Sequence, residues 1–463
     1  MRGGTRLATL ATLAAIAAVL LPGSASAAVV EIGAREVRAG PVLAGSSVVW
    51  ADARPGEGGF ALRSASAAGG APTTVREFGA AEGLVLTPSL AASPERIVLS
   101  YATGDSSELW RSRTVLTGPP GGALTELDAG CRLGGIPDVP RVADVSAQAV
   151  AFPRCDASGR QASFVRDHAA PVTMDEQVPA GSPGGLRVAG RYLAWLDPGG
   201  GQLENRADVV VYDRTIRSVV YRVARGSMSI RDLDLQADGK VAFTFTAPGG
   251  SGVQIAWASP AEPTAHVLAL PAAQSHHARI ASDRIGFESG PSTSRLPRTV
   301  GVAGLGGSVT TLATDAESDI SRDDFDFDGS RAAWWSYDCT QAQINVAAAD
   351  APARPAGPRS GCALRLRGRP RVESGRIVRL AVDCFGFALG ECQTQRVTLT
   401  AGGGRKAQVV GRGKSARRIE LGSTGRRTLR ERGRLAVRAR VLFTDAARRR
   451  EWRAANLVLK RAR

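Results

Sequence analysis

The sequence contains none of the short motifs that mark the common enzyme active sites. It has no G-x-S-x-G nucleophile elbow, no H-E-x-x-H zinc pair and no glycine-rich phosphate-binding loop, and only 4 of its 463 residues are histidine. These absences exclude the hydrolase, zincin and P-loop classes that depend on those motifs. No residue is therefore selected as a nucleophile, and we predict neither a catalytic residue nor a cofactor.

Long apolar runs are missing after the first 21 residues. The run at 7–21 has 15 residues, fewer than the ~20 that a membrane-spanning helix needs. Arg2 and Arg6 precede it and Ala25-Ser26-Ala27 follows, which is the order of a secretory signal peptide. We predict that residues 1–27 are removed and that the mature protein is secreted or extracytoplasmic, associated with the cell envelope, and has no transmembrane segment.

Cysteines are also few, and none has the C-x-x-C spacing of a metal site. Six cysteines in an exported chain indicate three disulfides rather than a bound metal. They can pair in fifteen ways, and proximity in the sequence ranks the pairings. The favoured pairs are Cys384 with Cys392, Cys131 with Cys155, and Cys339 with Cys362.

Helical periodicity is absent from residues 28–357, where a different unit recurs. An apolar strand leads through a Gly, Asp or Ser turn to a second apolar strand that ends in a large residue, as in residues 186–197. The copies are residues 42–50, 90–99, 142–152, 186–195, 233–243, 278–287 and 325–334. Their last residues are Trp50, Leu99, Phe152, Trp195, Phe243, Phe287 and Trp334, which lie 43 to 53 residues apart.

This period predicts an all-β fold with a seven-bladed β-propeller over residues 28–357. Units of ~40–50 residues with several short strands are typical of propellers, because one blade cannot bury both of its faces alone. Two stacked β-sandwiches would also give short strands, but the even spacing favours the propeller. The seventh unit is one strand short, and we predict that residues 29–37 supply its outer strand and close the ring.

The repeats resemble those of TolB-like propellers, which run from an Asp-Gly turn into an aromatic-ended strand. Residues 237–243 and 327–334 carry this likeness. The partner-binding role of TolB depends on an N-terminal α/β domain, whereas these repeats begin almost at the predicted cleavage site, so the resemblance does not imply that role. The Trp-Asp signature of WD40 units and the S-x-D-x-G-x-T-W box of sialidases are both absent.

Positive charge is concentrated in residues 359–463, which contain 28 Lys or Arg and 7 Asp or Glu, whereas the rest of the chain contains 31 and 36. In residues 434–443 the arginines alternate with apolar residues, the period of a half-buried strand. About seven such strands in ~105 residues are typical of an immunoglobulin-like β-sandwich. We predict this fold for a basic domain over residues 358–463, with a short helical turn at 424–432.

The basic domain resembles the Arg-rich β-sandwich modules at the C-termini of exported actinobacterial proteins. The matching features are Cys384 and Cys392 and the strand that ends at residues 443–447; the resemblance implies no activity. An Arg-rich surface attracts polyanions such as wall polymers or anionic lipids. Alternatively, arginine is only the preferred exposed residue of a high-GC genome. Nucleic acid is not favoured, because few aromatic residues are interleaved with the basic ones.

Aspartates at the start of the seventh repeat form a weak candidate metal site. Asp324, Asp326, Asp328 and Gly329 match the start of a calcium loop, but its twelfth residue is Trp335, where a bidentate Glu is required. The pattern is better explained as an inner strand that ends in an Asp-Gly hairpin. The aspartates that can line the central channel are Asp232, Asp234, Asp324 and Asp326.

Three hypotheses remain after these observations, one of which is polyanion binding through the basic domain alone. The first is a non-enzymatic binding or scaffolding protein whose propeller contacts a protein or glycan and whose basic domain associates with the envelope. The alternative is a polysaccharide-active lyase or hydrolase that uses paired acids in the channel. The adjacent His276 and His277 precede the first strand of the sixth repeat and can reach a blade face, but nothing selects them as catalytic.

Overall fold

A computed structural model of the protein describes twenty-four segments of the chain. They are residues 29–34, 37–54, 59–79, 85–103, 110–134, 143–155, 161–169, 175–178, 185–197, 207–224, 226, 228–247, 252–270, 275–289, 298–316, 325–337, 342–353, 364–366, 370–380, 382–384, 393–402, 407–416, 418–444 and 450–460. The predicted signal segment 1–27 lies outside them.

The strands from residue 30 to residue 348 form seven four-stranded antiparallel sheets. The first strand is β1 (Val30–Ala34). Blade one comprises β2 (Val37–Ala44), β3 (Ser47–Ala53), β4 (Phe60–Ser66) and β5 (Thr73–Phe78). Blade two comprises β6 (Val85–Ala92), β7 (Ile97–Thr103), β8 (Trp110–Gly118) and β9 (Thr125–Gly134). Blade three comprises β10 (Asp144–Val145), β11 (Ala149–Cys155), β12 (Gln161–Asp167) and β13 (Glu176–Gln177).

The remaining four blades follow in the same order. Blade four comprises β14 (Arg187–Ala189), β15 (Tyr192–Asp197), β16 (Asp208–Asp213) and β17 (Ser218–Val223). Blade five comprises β18 (Ser229–Leu235), β19 (Val241–Thr246), β20 (Val253–Ala258) and β21 (His266–Val267). Blade six comprises β22 (Ser275–Ala281), β23 (Arg284–Ser289), β24 (Arg298–Gly304) and β25 (Val309–Ala316). Blade seven contains β26 (Phe325–Phe327), β27 (Arg331–Tyr337) and β28 (Ala342–Ala348), with β1 as its fourth strand.

The first strand of each blade contacts the first strand of the next, which closes the ring. The contacts run from β2 through β6, β10, β14, β18 and β22 to β26, and β26 in turn contacts β2. These seven strands therefore surround a common axis. The predicted seven-bladed propeller is confirmed.

The N-terminal strand completes the seventh blade, as predicted. β1 pairs antiparallel with β28, with Val30 opposite Val346 and Ala34 opposite Ala342. The strand is shorter than the predicted 29–37, because Val37 already begins β2. Ring closure thus joins residues that are more than 300 positions apart in the sequence.

The apolar cores lie between the blades rather than within them. Each of the seven blade boundaries has its own cluster of buried apolar side chains. The large end residues of the repeat all lie in the second strand of their blade and are all buried. Packing is tight enough that a Cβ added to Gly286 would approach Phe327 of the next blade to 2.5 Å, which explains a glycine at that position.

The described residues of the basic C-terminal module form nine strands and one helix. They are β29 (Leu364–Leu366), β30 (Arg371–Glu373), β31 (Ile377–Arg379), β32 (Val382–Cys384), β33 (Gln393–Ala401), β34 (Gln408–Ser415), β35 (Arg418–Leu421), α1 (Ser423–Arg432), β36 (Arg434–Thr444) and β37 (Arg450–Lys460). The helix confirms the predicted helical turn. No helix among the described residues has the length and apolarity that a membrane crossing requires.

The predicted immunoglobulin-like sandwich is not confirmed. Seven strands form one antiparallel sheet in the order β30-β31-β35-β34-β33-β36-β37, and among the described strands β29 pairs with β32. The large sheet curls so that β30 contacts β37, and its inner face and α1 enclose a single core. The result is a half-barrel. Residues 376–384 do not form one continuous strand, because β31 pairs with β35 whereas β32 pairs with β29.

The alternation predicted for residues 434–443 is confirmed over the side chains that the structure describes. Leu435, Val437, Ala439 and Val441 of β36 are buried, whereas its arginines at positions 434, 438 and 440 are exposed. The predicted boundary between the propeller and the basic domain, at 357/358, lies outside the described residues. It stays a prediction.

Candidate functional site

Aspartates at one repeated position of the inner strands tie neighbouring blades together. Asp144, Asp234 and Asp326 occupy the same place in their blades, opposite the residue that precedes the large end residue. Each carboxylate accepts a hydrogen bond from a backbone N–H of the next blade, at Val188, Ile280 and Leu43 respectively, over 2.9, 2.8 and 2.7 Å. These bonds hold the first strands of blades four, six and one to blades three, five and seven respectively.

Blades four and six carry arginine at this same position. Arg187 lies opposite Ala194 and Arg279 lies opposite Gly286, and both side chains turn toward blade five, which lies between them. There they meet Asp232. Together with His277 of blade six, these residues form the three-blade cluster, defined as Arg187, Asp232, His277 and Arg279.

Asp232 is the centre of the three-blade cluster. The Arg279 Nη1 atom donates to its Oδ2 over 2.7 Å, and the Arg187 Nη2 atom lies 3.6 Å from its Oδ1. The Arg187 Nε atom also donates to the Leu233 carbonyl over 2.7 Å. Nδ1 of His277 lies 3.6 Å from Oδ2 of Asp232. Three blades are thus linked through one carboxylate.

The cluster is shielded from solvent, and the cations around Asp232 determine the charge state of that carboxyl group. The side chains of Arg187, Asp232 and Arg279 are only 2%, 4% and 1% exposed. Burial by itself raises the pKa of Asp232, but the Arg279 guanidinium, His277 and Arg187 hold it well below its usual range. Asp232 is therefore an ionised carboxylate at neutral pH, committed to the cations around it.

Backbone irregularities aim the two central side chains. The pairing of β18 with β19 shifts register just before Asp232, and that of β22 with β23 shifts just before His277. Such bulges turn a side chain to a new direction. The structure thus brings His277 and Asp232 together, and it adds two arginines that sequence reasoning missed. The available signal was a lone arginine inside each apolar inner strand, at Arg187 and Arg279.

The described aspartates of the weak calcium motif form hydrogen bonds and an ion pair within the protein. Asp326 is bonded to the backbone N–H of Leu43. Asp328 caps its own turn by accepting from the N–H groups of Ser330 and Arg331, and it forms an ion pair with the Arg331 guanidinium at 2.6 Å. Asp324 lies outside the described residues. No group of three metal-ligating residues occurs in the part of the chain that the structure describes.

A second candidate site is the outer face of the half-barrel, which we call the arginine face. It spans β34, β33, β36 and β37, where the strand register places these side chains on one side of the sheet. Its exposed cations are Arg396, Arg412, Lys414, Arg434, Arg438, Arg440 and Lys460. Trp452 lies among them, with the Arg440 guanidinium 5.1 Å from its ring centroid.

Acidic residues do not neutralise the arginine face within the described segments. None of its seven cations lies within 4.0 Å of a described carboxylate, whereas most arginines of the propeller blades that the structure describes are in such pairs. Glu420 of β35 lies opposite Arg412 on the same side of the sheet, and its carboxylate contacts Arg418 at 3.9 Å. The face therefore carries a net positive charge that is open to solvent.

Comparison with solved structures finds other propellers. TolB from Acinetobacter baumannii is 13% identical, covering 69% of this chain and 61% of its own, with a TM-score of 0.34. A prolyl endopeptidase is 13% identical, covering 90% and 53%, with a TM-score of 0.44. The β-propeller domain of the Trilobed protease from Pyrococcus furiosus is 10% identical, covering 67% and 93%, with a TM-score of 0.45. This chain thus spans less than two thirds of the length of TolB and of the prolyl endopeptidase.

At these identities the likeness concerns the fold alone. No family model and no curated protein matches the chain. The count of seven blades rests on the strand pairing described above.

The two candidate sites differ in what they can do chemically. A general acid or base needs a pKa near the working pH and access to substrate, and Asp232 has neither. The arginine face has exposed, permanently charged donors, which suit recognition of anions. Of the two, only the arginine face has the geometry of a binding surface.

Proposed function

We propose that the protein is an exported, non-enzymatic binding or scaffolding protein. In this proposal the propeller is a rigid platform for a protein or glycan partner, and the basic C-terminal module associates with anionic polymers or lipids of the cell envelope. The observation that carries the proposal is the arginine face, whose cations have no carboxylate partner among the described residues. An exposed field of one sign raises the local concentration of oppositely charged ligands.

The inner-strand carboxylates support a framework role for the propeller. Asp144, Asp234 and Asp326 accept hydrogen bonds from the next blade, and Asp232 is held ionised by buried arginines. A glycosidase needs two carboxyl groups about 5–9.5 Å apart that both face the substrate. These four aspartates are engaged in joining blades, so they favour the platform over the lyase or hydrolase alternative.

A pull-down from envelope extracts tests the proposal. The mature chain is immobilised and washed at low and high ionic strength, because contacts between exposed charges weaken as the Debye length falls from about 10 Å at 0.1 M salt to 3 Å at 1 M. We expect envelope components to be retained, with the fraction held by the basic module released at high salt. Recovery of no envelope component at either salt concentration would contradict the proposal.

A further inference from the structure

The arginine face carries exposed apolar side chains as well as cations. The large apolar residues that are exposed in the described part of the module are Val409, Trp452 and Val458, at 41%, 41% and 48% exposure. All three lie on the arginine face, because Val409 is opposite Thr400, Val458 is opposite Ala436 and Trp452 is opposite Leu442. The inner side of the same sheet is the module's own core.

We propose that the arginine face docks on the surface of an anionic lipid bilayer. The inference rests on the proposed function and names the envelope partner of the basic module. Arginines attract the anionic headgroups, while a tryptophan and valines next to them can enter the boundary between headgroups and acyl chains. A hydrated anionic polymer would bind the charged side chains alone, and the exposed apolar residues would have no binding partner.

The layout of the charges fits a two-dimensional surface better than a groove, because the outer side of the curled sheet is convex. The cations are spread over four adjacent strands, which lie about 4.8 Å apart, and over residues 434–440 of β36, which span six steps of about 3.4 Å each. Measured along the curved outer surface of the sheet, they therefore cover roughly 15 by 20 Å. A single polymer chain follows a line, whereas a lipid surface presents headgroups in two dimensions.

Trp452 is placed to act together with the cations. The Arg440 guanidinium packs over its ring at 5.1 Å, which holds the indole beside a positive charge on the exposed side of the sheet. Tryptophan is enriched at membrane–water interfaces because its ring is apolar and its N–H is polar. Arg440 can therefore contact a headgroup phosphate, while Trp452 beside it contacts the boundary between headgroups and acyl chains.

Vesicle flotation with the mature chain tests this proposal. We expect binding to vesicles of phosphatidylcholine mixed with phosphatidylglycerol, and no binding to phosphatidylcholine alone. The double substitution Arg438→Gln/Arg440→Gln should weaken binding about 25-fold, since each basic residue at an anionic surface contributes about fivefold. The substitution Trp452→Ala should weaken it by about fivefold or more while retention on heparin stays within about twofold.

The matched control removes the same charge from another part of the module. Arg426 and Arg430 are exposed residues of α1, which packs against the inner side of the sheet through Leu429. Arg426→Gln/Arg430→Gln should change vesicle binding by less than about twofold. An unchanged thermal midpoint shows that each variant is folded.

The outcomes separate this proposal from the one on which it rests. Retention on heparin without binding to anionic vesicles would overturn the lipid assignment and leave envelope association through polymers. Equal losses in the face and helix variants, or no effect of Trp452→Ala on vesicle binding, would also overturn it. Binding to neither heparin nor vesicles would overturn both proposals.

Discussion

At the scale of single residues, the most consequential one is Asp232. Three cationic or protonatable side chains from two other blades converge on its carboxylate, and all are buried. A buried ion pair adds little net stability compared with an apolar core, but removal of one partner leaves an uncompensated charge. The three-blade cluster is therefore sensitive to loss of any one member.

We predict that Asp232→Asn destabilises the propeller by about 3–5 kcal/mol, because Arg187 and Arg279 would lose their buried anion. Urea denaturation followed by fluorescence measures the change. The control is Asp283→Asn, which removes an exposed partner of Lys240 and should cost less than about 1 kcal/mol. Equal midpoints for the two variants would show that the cluster does not hold the blades.

The effect of Asp232 should depend on pH in one direction. Because Arg279, His277 and Arg187 hold its pKa in the folded state below that of the unfolded chain, its contribution is fully present above about pH 4 and is lost as pH falls through the folded pKa. The difference in unfolding free energy between wild type and Asp232→Asn should therefore shrink as pH falls below about 4. A difference that grows on acidification would contradict this sign.

At the scale of elements, β1 decides whether the ring is closed. It is the only strand of the described blades that comes from the opposite end of the propeller sequence. Ile32 is buried against a cluster that includes Trp50 of blade one and Ile344 of blade seven. The strand therefore joins blade seven to blade one by side-chain packing as well as by backbone pairing.

We predict that Ile32→Ala destabilises the propeller by about 2–5 kcal/mol, through lost burial and the cavity left behind. Gly33→Ala is the neighbouring control, since a Cβ added there meets no atom within 4 Å, and it should change stability by less than about 0.5 kcal/mol. Thermal and urea midpoints compare the two. If Ile32→Ala behaves like Gly33→Ala, β1 is not needed for closure.

At the scale of the whole molecule, stability is distributed over seven blade boundaries. Each has an apolar core, and ion pairs at the rim add cross-links, such as Arg214 to Asp167 at 2.7 Å and Arg284 to Asp350 at 3.0 Å. A ring has no free terminal face, so every blade is packed on both sides. Such a framework suits a rigid platform.

The predicted disulfides belong to this scale, because one of the expected pairs would join neighbouring blades. Cys131 lies in β9 and Cys155 in β11, strands that contact each other across the boundary between blades two and three. Cys384 lies in β32, whereas Cys392, Cys339 and Cys362 lie outside the described residues. Peptide mapping of the mature protein without reductant should recover the pairs 131–155, 339–362 and 384–392. Recovery of any other pairing would show that proximity in the sequence was a wrong guide.

Much of the propeller was predictable from the sequence, and the reason is repetition. Large end residues such as Trp50, Phe152 and Trp195 recur because every blade packs against its two neighbours in the same way. One local pattern therefore appears seven times. The half-barrel was not predictable in the same way. Period-two alternation located β36 and its exposed arginines, but it is the same whether a sheet faces a second sheet or curls around its own core.

The amino-acid sequence by itself determined where the strands lie, which side chains they bury and where positive charge accumulates, because these depend on residues close together in the chain. Only the tertiary structure decided that Arg187 and Arg279 meet at Asp232, that β1 lies beside β28, and that Trp452, Val409 and Val458 share a face with the arginines. Those contacts depend on ring closure, register shifts and the curl of a sheet. Each of these is set by packing between distant segments, which no local pattern records.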